Sequence, residues 1–125
     1  MAMLRLGEIM IDANDIHELN KRIDHLQQEQ VRQQHSYSIA KQTLAVSKDR
    51  KRRLLAQWVN KGLAGSDAAR TNWALAQNGY IEEIGKIEVQ DLAAQQTRDA
   101  YELLQPQLDM LRSQLSLAKA QIEHL

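Results

Sequence analysis

The densest chemistry in the chain lies in six consecutive residues, Lys48, Asp49, Arg50, Lys51, Arg52 and Arg53. Cations in such numbers can neutralise nucleic-acid phosphates, with a binding strength that falls steeply as salt rises. Arg50, Arg53 and Lys61 are spaced to share one side of a helix, and Arg70 follows a short way on. Six successive helical positions wrap more than one turn, however, so the charge spreads around the helix instead of forming a flat stripe. The simpler account is a solvated helix end whose cations favour its own C-terminal dipole. Phosphate or partner contact through Lys48, Arg50, Arg52, Arg53, Lys61 and Arg70 is the alternative. Trp58 and Trp73 flank this stretch and could stack on bases, yet both fall on an apolar spacing that predicts packing.

The remaining reactive side chains do not assemble into a known chemistry. There is no phosphate-cradling glycine loop, no nucleophile elbow and no HExxH. His17 and His25 are eight residues apart, whereas helical metal pairs use a spacing of three or four; His35 and His124 are isolated. The paired acids Glu82 and Glu83 are expected to divide between solvent and seam. A long helix without a concave pocket offers a carboxylate no desolvated site that would raise its pKa for catalysis. The expectation is a protein without catalytic, cofactor or metal residues.

Composition narrows the architecture. The 125 residues include no Phe, two Trp, three Tyr, one Pro and five Gly, so turn signals and therefore elements are few. Long helices with narrow apolar stripes fit this better than a thick globular core. No apolar run is long enough to span a membrane, and the first eleven residues lack the plan of a secretion signal. The absence of Cys excludes disulfides and fits a reducing cytoplasm. The net charge of zero conceals a basic middle: residues 41–70 carry eight basic and two acidic side chains, and acids outnumber bases on both sides.

Two heptad seams organise the chain. The first runs through Ile16, Leu19, Ile23, Leu26, Gln30, Gln33, Tyr37, Ala40, Leu44, Ser47, Lys51, Leu54 and Trp58, always at steps of three or four. It predicts one helix over residues 15–61, entered through the capping-box-like pair Asp15 and Glu18. The second seam passes Ala69, Trp73, Ala76, Tyr80, Glu83, Ile87, Gln90, Ala94, Thr97 and Tyr101. It continues through Leu104, Leu108, Leu111, Leu115, Ala118 and Ile122 to Leu125. Gly62 is expected as a left-handed cap, residues 62–65 as the turn, and Ser66 with Asp67 as the start of the second arm over 66–125. A turn this short makes the arms antiparallel. The fold class is therefore all-α, a long antiparallel helical hairpin with coiled-coil-like packing. Residues 1–14 form an arm and residues 15–125 a single domain.

In the expected register Trp58 faces Ala69, Leu54 faces Trp73, Gln30 faces Thr97 and Lys51 faces Ala76. Pro106 should kink or break the second arm. About 14 residues of that arm then extend past the end of the first by this count of seam positions, leaving Leu115, Leu117, Ile122 and Leu125 in need of cover. A further row, Val89, Leu103, Met110 and Leu117, also lacks a partner within one hairpin. Self-association into a dimeric four-helix bundle is the expected closure.

Residues 36–125 also resemble a loose group of small helical proteins encoded by bacteriophages and prophages. The likeness is carried by Tyr37 and Ala40, by Gly65, Ser66, Asp67, Ala68, Ala69 and Arg70, and by Arg112, Ser113, Gln114 and Leu115. It implies an origin and a helical-hairpin shape, and brings no catalytic or binding residues. The expected function is a cytoplasmic, non-enzymatic interaction or scaffold module acting through a homodimer and a protein partner, without membrane or cofactor. Accessory nucleic-acid binding through the basic stretch is the alternative.

Overall fold

Helices dominate the computed structural model, which describes residues 3–6, 9–62 and 64–123. Two strands come first, β1 (Met3–Leu6) and β2 (Ile9–Asp12), paired antiparallel with Leu6 opposite Ile9 and Met3 opposite Asp12. Five helices follow: α1 (Ala13–Ala45), α2 (Ser47–Lys61), α3 (Asp67–Leu75), α4 (Asn78–Glu102) and α5 (Leu104–Glu123). The chain divides into two compact units, Met1–His35 with Asp99–Leu125, and Ser36–Arg98.

The N-terminal stretch is thus a β-hairpin and not a simple arm. The apolar, partly β-branched runs at residues 3–6 and 9–12 suit paired strands. Helix α1 starts directly after β2, so Asp15 sits inside its first turn, where its charge favours the helix dipole. In this first unit the core is Ile23, Leu108 and Leu111, with Leu19, Leu26 and Leu115 packed against it. Helix α5 also lies against β1. The side chain of Gln30 donates to Gln105 at 2.9 Å, and Ile23 packs on Leu108, so the two helical legs run antiparallel.

Two helical interruptions have local causes. The first arm is divided at Val46, whose φ of −98° and ψ of 1° leave the helical basin. Thr43 bonds back to the Ile39 carbonyl at 3.0 Å just before it, a pairing that bends helices. The second arm is divided at Leu103, which places Pro106 in the first turn of α5, where a missing N–H costs least.

The largest departure from the expected hairpin is α3. Ser66 caps it as expected, its Oγ accepting from the Ala69 N–H at 3.2 Å. The helix then stops at Leu75 instead of continuing, and α4 begins three residues later. Gln77 closes the end, its side-chain amide donating to the Trp73 carbonyl at 3.1 Å. Asn78 and Gly79 follow, both poor helix formers in a helix interior. Residues 64–75 therefore form a separate short element packed on α2, and the register beyond it slips. Gln30 meets Gln105 where Thr97 was expected, and Trp58 meets Glu83 where Ala69 was expected. The displacement is one to two heptads.

Burial records the same slip. All thirteen first-seam positions, from Ile16 to Trp58, are buried or half-buried. The second seam holds from Ala94 to Ile122, but Ala69, Trp73, Ala76, Glu83 and Gln90 are exposed. Ala74, Ile84 and Asp91 take inward positions in their place. Gly62 is extended, with φ −72° and ψ 160°, not left-handed. Its tight constraint is a different one: a Cβ there would stand 3.1 Å from the Trp73 ring and 3.2 Å from the Val59 carbonyl oxygen, closer than an ordinary contact.

Candidate functional site

The basic stretch was the sharpest chemical candidate, and it lies on α2 within the second unit. Most of its cations are engaged by the chain itself. Arg50 donates to the Gln90 side chain at 2.6 Å, Lys51 sits 3.5 Å from Asp91, and Arg52 pairs loosely with Asp49 at 3.7 Å. Lys61 lies 4.2 Å over the Trp58 ring, a cation–π contact. Arg70 donates to the Val59 carbonyl at 3.3 Å, placing its charge at the C-terminus of α2, where the helix dipole favours it. Its Nε is buried without a hydrogen-bond partner. Lys48 and Arg53 are exposed on α2. Four of the six proposed contact residues, Arg50, Arg52, Lys61 and Arg70, thus have partners within the chain.

The tryptophans belong to packing. Trp58 is half-buried, donates to Glu83 at 2.8 Å and rests against Gly79, where a Cβ would come within 2.5 Å of the indole. Trp73 is 38% exposed and contacts Gly62.

One polar group in this unit escaped the sequence reading. Ser47 is buried and donates to Asp91, whose same oxygen also faces Lys51. The other Asp91 oxygen is buried without a partner. The ammonium and hydroxyl hold the carboxylate from the α2 side, an arrangement suited to fixing one register between α2 and α4. Ser47 and Lys51 were visible as polar members of an apolar seam; requiring an acid opposite them would have pointed to Asp91 instead of Ala76.

The histidines His17, His25 and His35 are exposed, and His124 lies outside the described residues. Among the described residues no group of three or more His, Cys, Asp or Glu is placed to hold a metal ion, and no helix is long and apolar enough to cross a membrane.

The four residues expected to mediate self-association separate by environment. Leu115 packs into the core of its own unit, and Ile122 is half-buried. Leu117 is 56% exposed, and Leu125 lies outside the described residues. The expected bare overhang is absent for two reasons: α3 shortens the second arm, and α5 has β1 beside it. Removing residues 112–125 would therefore take Leu115 and the buried Ala118 out of the core as well. The apolar row is what stays open: Val89, Leu103, Met110 and Leu117 are 69%, 59%, 54% and 56% exposed.

No protein-family model matches the chain, and comparison with curated proteins and with solved structures finds no match.

Proposed function

We propose that the chain is a non-enzymatic helical interaction or scaffold module of the phage or prophage type, acting in the cytoplasm through a homodimer and a protein partner. The supporting observation is the exposed row Leu103, Met110 and Leu117 in the first unit, because apolar side chains recurring at heptad spacing and left in water mark a surface built to be covered. A second copy covering that row makes a four-helix bundle. Light scattering on the full chain at micromolar concentration tests this directly: a dimer is expected, and a clean monomer ends the reading.

The basic stretch supplies a second check. With Arg50, Arg52 and Arg53 all changed to Gln, the fold should be nearly unaffected and duplex-DNA affinity at physiological salt should stay as feeble as in the parent chain. A nucleic-acid-binding protein would behave otherwise. Its parent affinity would be sub-micromolar, lost in the triple variant, and would fall with a log–log salt slope of about −0.9 per phosphate contact.

A further inference from the structure

The junction between α3 and α4 sets two reactive groups side by side. Asn78 opens α4 and Gly79 follows it. The other asparagines, Asn14, Asn20, Asn60 and Asn72, precede Asp15, Lys21, Lys61 and Trp73, so only Asn78 stands before a glycine. Asn78 is exposed, and its side-chain amide has no hydrogen-bond partner among the described residues. The Gly79 N–H has no backbone acceptor there either: the bonds that close the junction start from Ala76, Gln77 and Ile81 and pass it by. The first N–H groups of a helix lack intrahelical acceptors, and a glycine has no side chain to screen its nitrogen.

We propose that the chain modifies itself at this step, the Gly79 main-chain nitrogen attacking the side-chain amide of Asn78. The nitrogen gives up its proton and bonds to Cγ, the Cγ–Nδ2 bond breaks, and ammonia leaves carrying that proton. A five-membered succinimide ring remains, and solvent water opens it at one of its two carbonyls. Opening at the side-chain carbonyl gives aspartate on an unaltered main chain. Opening at the main-chain carbonyl gives isoaspartate, with the chain running through Cβ and Cγ. The ring closes only after Asn78 leaves its helical ψ, and the first residue of a helix is held from one side only. Asn72, inside α3 and followed by the bulk of Trp73, has neither advantage.

The two products act in opposite senses. Helices α1, α2 and α3 each carry an acid in the first turn, Asp15, Asp49 and Asp67, whereas α4 carries none. Aspartate formed at this position supplies that acid and favours the α4 dipole. Isoaspartate instead inserts a methylene into the main chain directly before Gly79. Space there is so tight that a Cβ would stand 2.5 Å from the Trp58 ring. The indole then loses its seat.

Peptide mapping of the full chain, aged at mildly alkaline pH and digested at mildly acidic pH, tests this. Cleavage after Arg70 and Lys86 releases residues 71–86, which hold Asn72 and Asn78 together, so fragment masses compare the two within one peptide. Asn78 is expected to convert about tenfold faster than Asn72 or more, which a difference of about 1.4 kcal/mol in barrier produces. Both products should form, the isoaspartate being read by an isoaspartyl methyltransferase, and the rate should rise with pH as the nitrogen is deprotonated. The iso-linked fraction should show shifted tryptophan fluorescence. Asn78→Asp, which carries the other product alone, should keep the parent emission and raise the urea midpoint. A synthetic peptide of residues 71–86, aged alongside, sets the unprotected rate. An intact Asn78 in the folded chain after that peptide has converted, or conversion of Asn72 as fast as that of Asn78, overturns the modification site. Altered emission in Asn78→Asp overturns the opposed effects of the two products.

Discussion

Leu108→Ala is expected to lower folding stability by about 3 kcal/mol, the usual cost of emptying a fully buried leucine site. Leu108 is 0% exposed and sits between Ile23 and Leu111, with Leu19, Leu26 and Leu115 around them. The lost methyl and methylene groups leave a cavity, and two thin helical legs have few further side chains with which to fill it. Domains of ordinary stability have roughly 5–15 kcal/mol in all, so this one change removes a large share. The expected result is a lower urea midpoint with an unchanged slope, read at fixed protein concentration because any self-association would add to apparent stability. Val31→Ala is the control: Val31 is 76% exposed, and its truncation should stay within about 0.5 kcal/mol. A Leu108 effect no larger than the control would show that this cluster is not the core of its unit.

Gly79→Ala and Gly85→Ala should move stability in opposite directions, although both lie in α4. At Gly85 nothing stands within 4 Å of a new Cβ. Alanine there gains helix propensity alone, about 0.5–1 kcal/mol. At Gly79 the new methyl would fall 2.5 and 2.7 Å from two atoms of the Trp58 ring. That ring cannot simply swing away, because Glu83 holds its N–H and Lys61 covers its face. Overpacking of this kind costs about 1–3 kcal/mol, which outweighs the propensity gain. Gly79→Ala should therefore lose stability in urea denaturation and perturb tryptophan fluorescence, while Gly85→Ala gains stability with fluorescence unchanged. Equal gains at both sites would mean that Trp58 does not rest on Gly79.

The same glycine shows where sequence reasoning ended. As a position in a periodic pattern, Gly79 reads as a weak point in a continuous helix. Paired with Asn78 it is also a helix boundary, and the space it leaves is filled by an indole from α2. Nothing local announces that a tryptophan 21 positions earlier in the chain will occupy that space. The side chain of Asp91 was hidden similarly, since its inward placement depends on Ser47 and Lys51 arriving opposite it.

The first arm lies at the other extreme: all thirteen positions that its heptad spacing pointed inward, from Ile16 to Trp58, are buried or half-buried. Periodicity succeeds there because a helix's geometry is set by its own backbone, so every third or fourth residue shares a face whatever packs upon it. The helical class, the Ser66 cap, the inward seam from Ala94 to Ile122 and the exposed row of Val89, Leu103, Met110 and Leu117 were legible for that reason. Register is a different quantity. It depends on which residues of the second arm arrive opposite the first, and the ten or so positions taken up by α3 and its end changed that count for everything after them. Heptad patterns match themselves after a slip of seven as well as they do without one. Only contacts such as Trp58 on Gly79, Ser47 with Asp91 and Gln30 with Gln105 choose among those matches, and they exist only once the chain has folded.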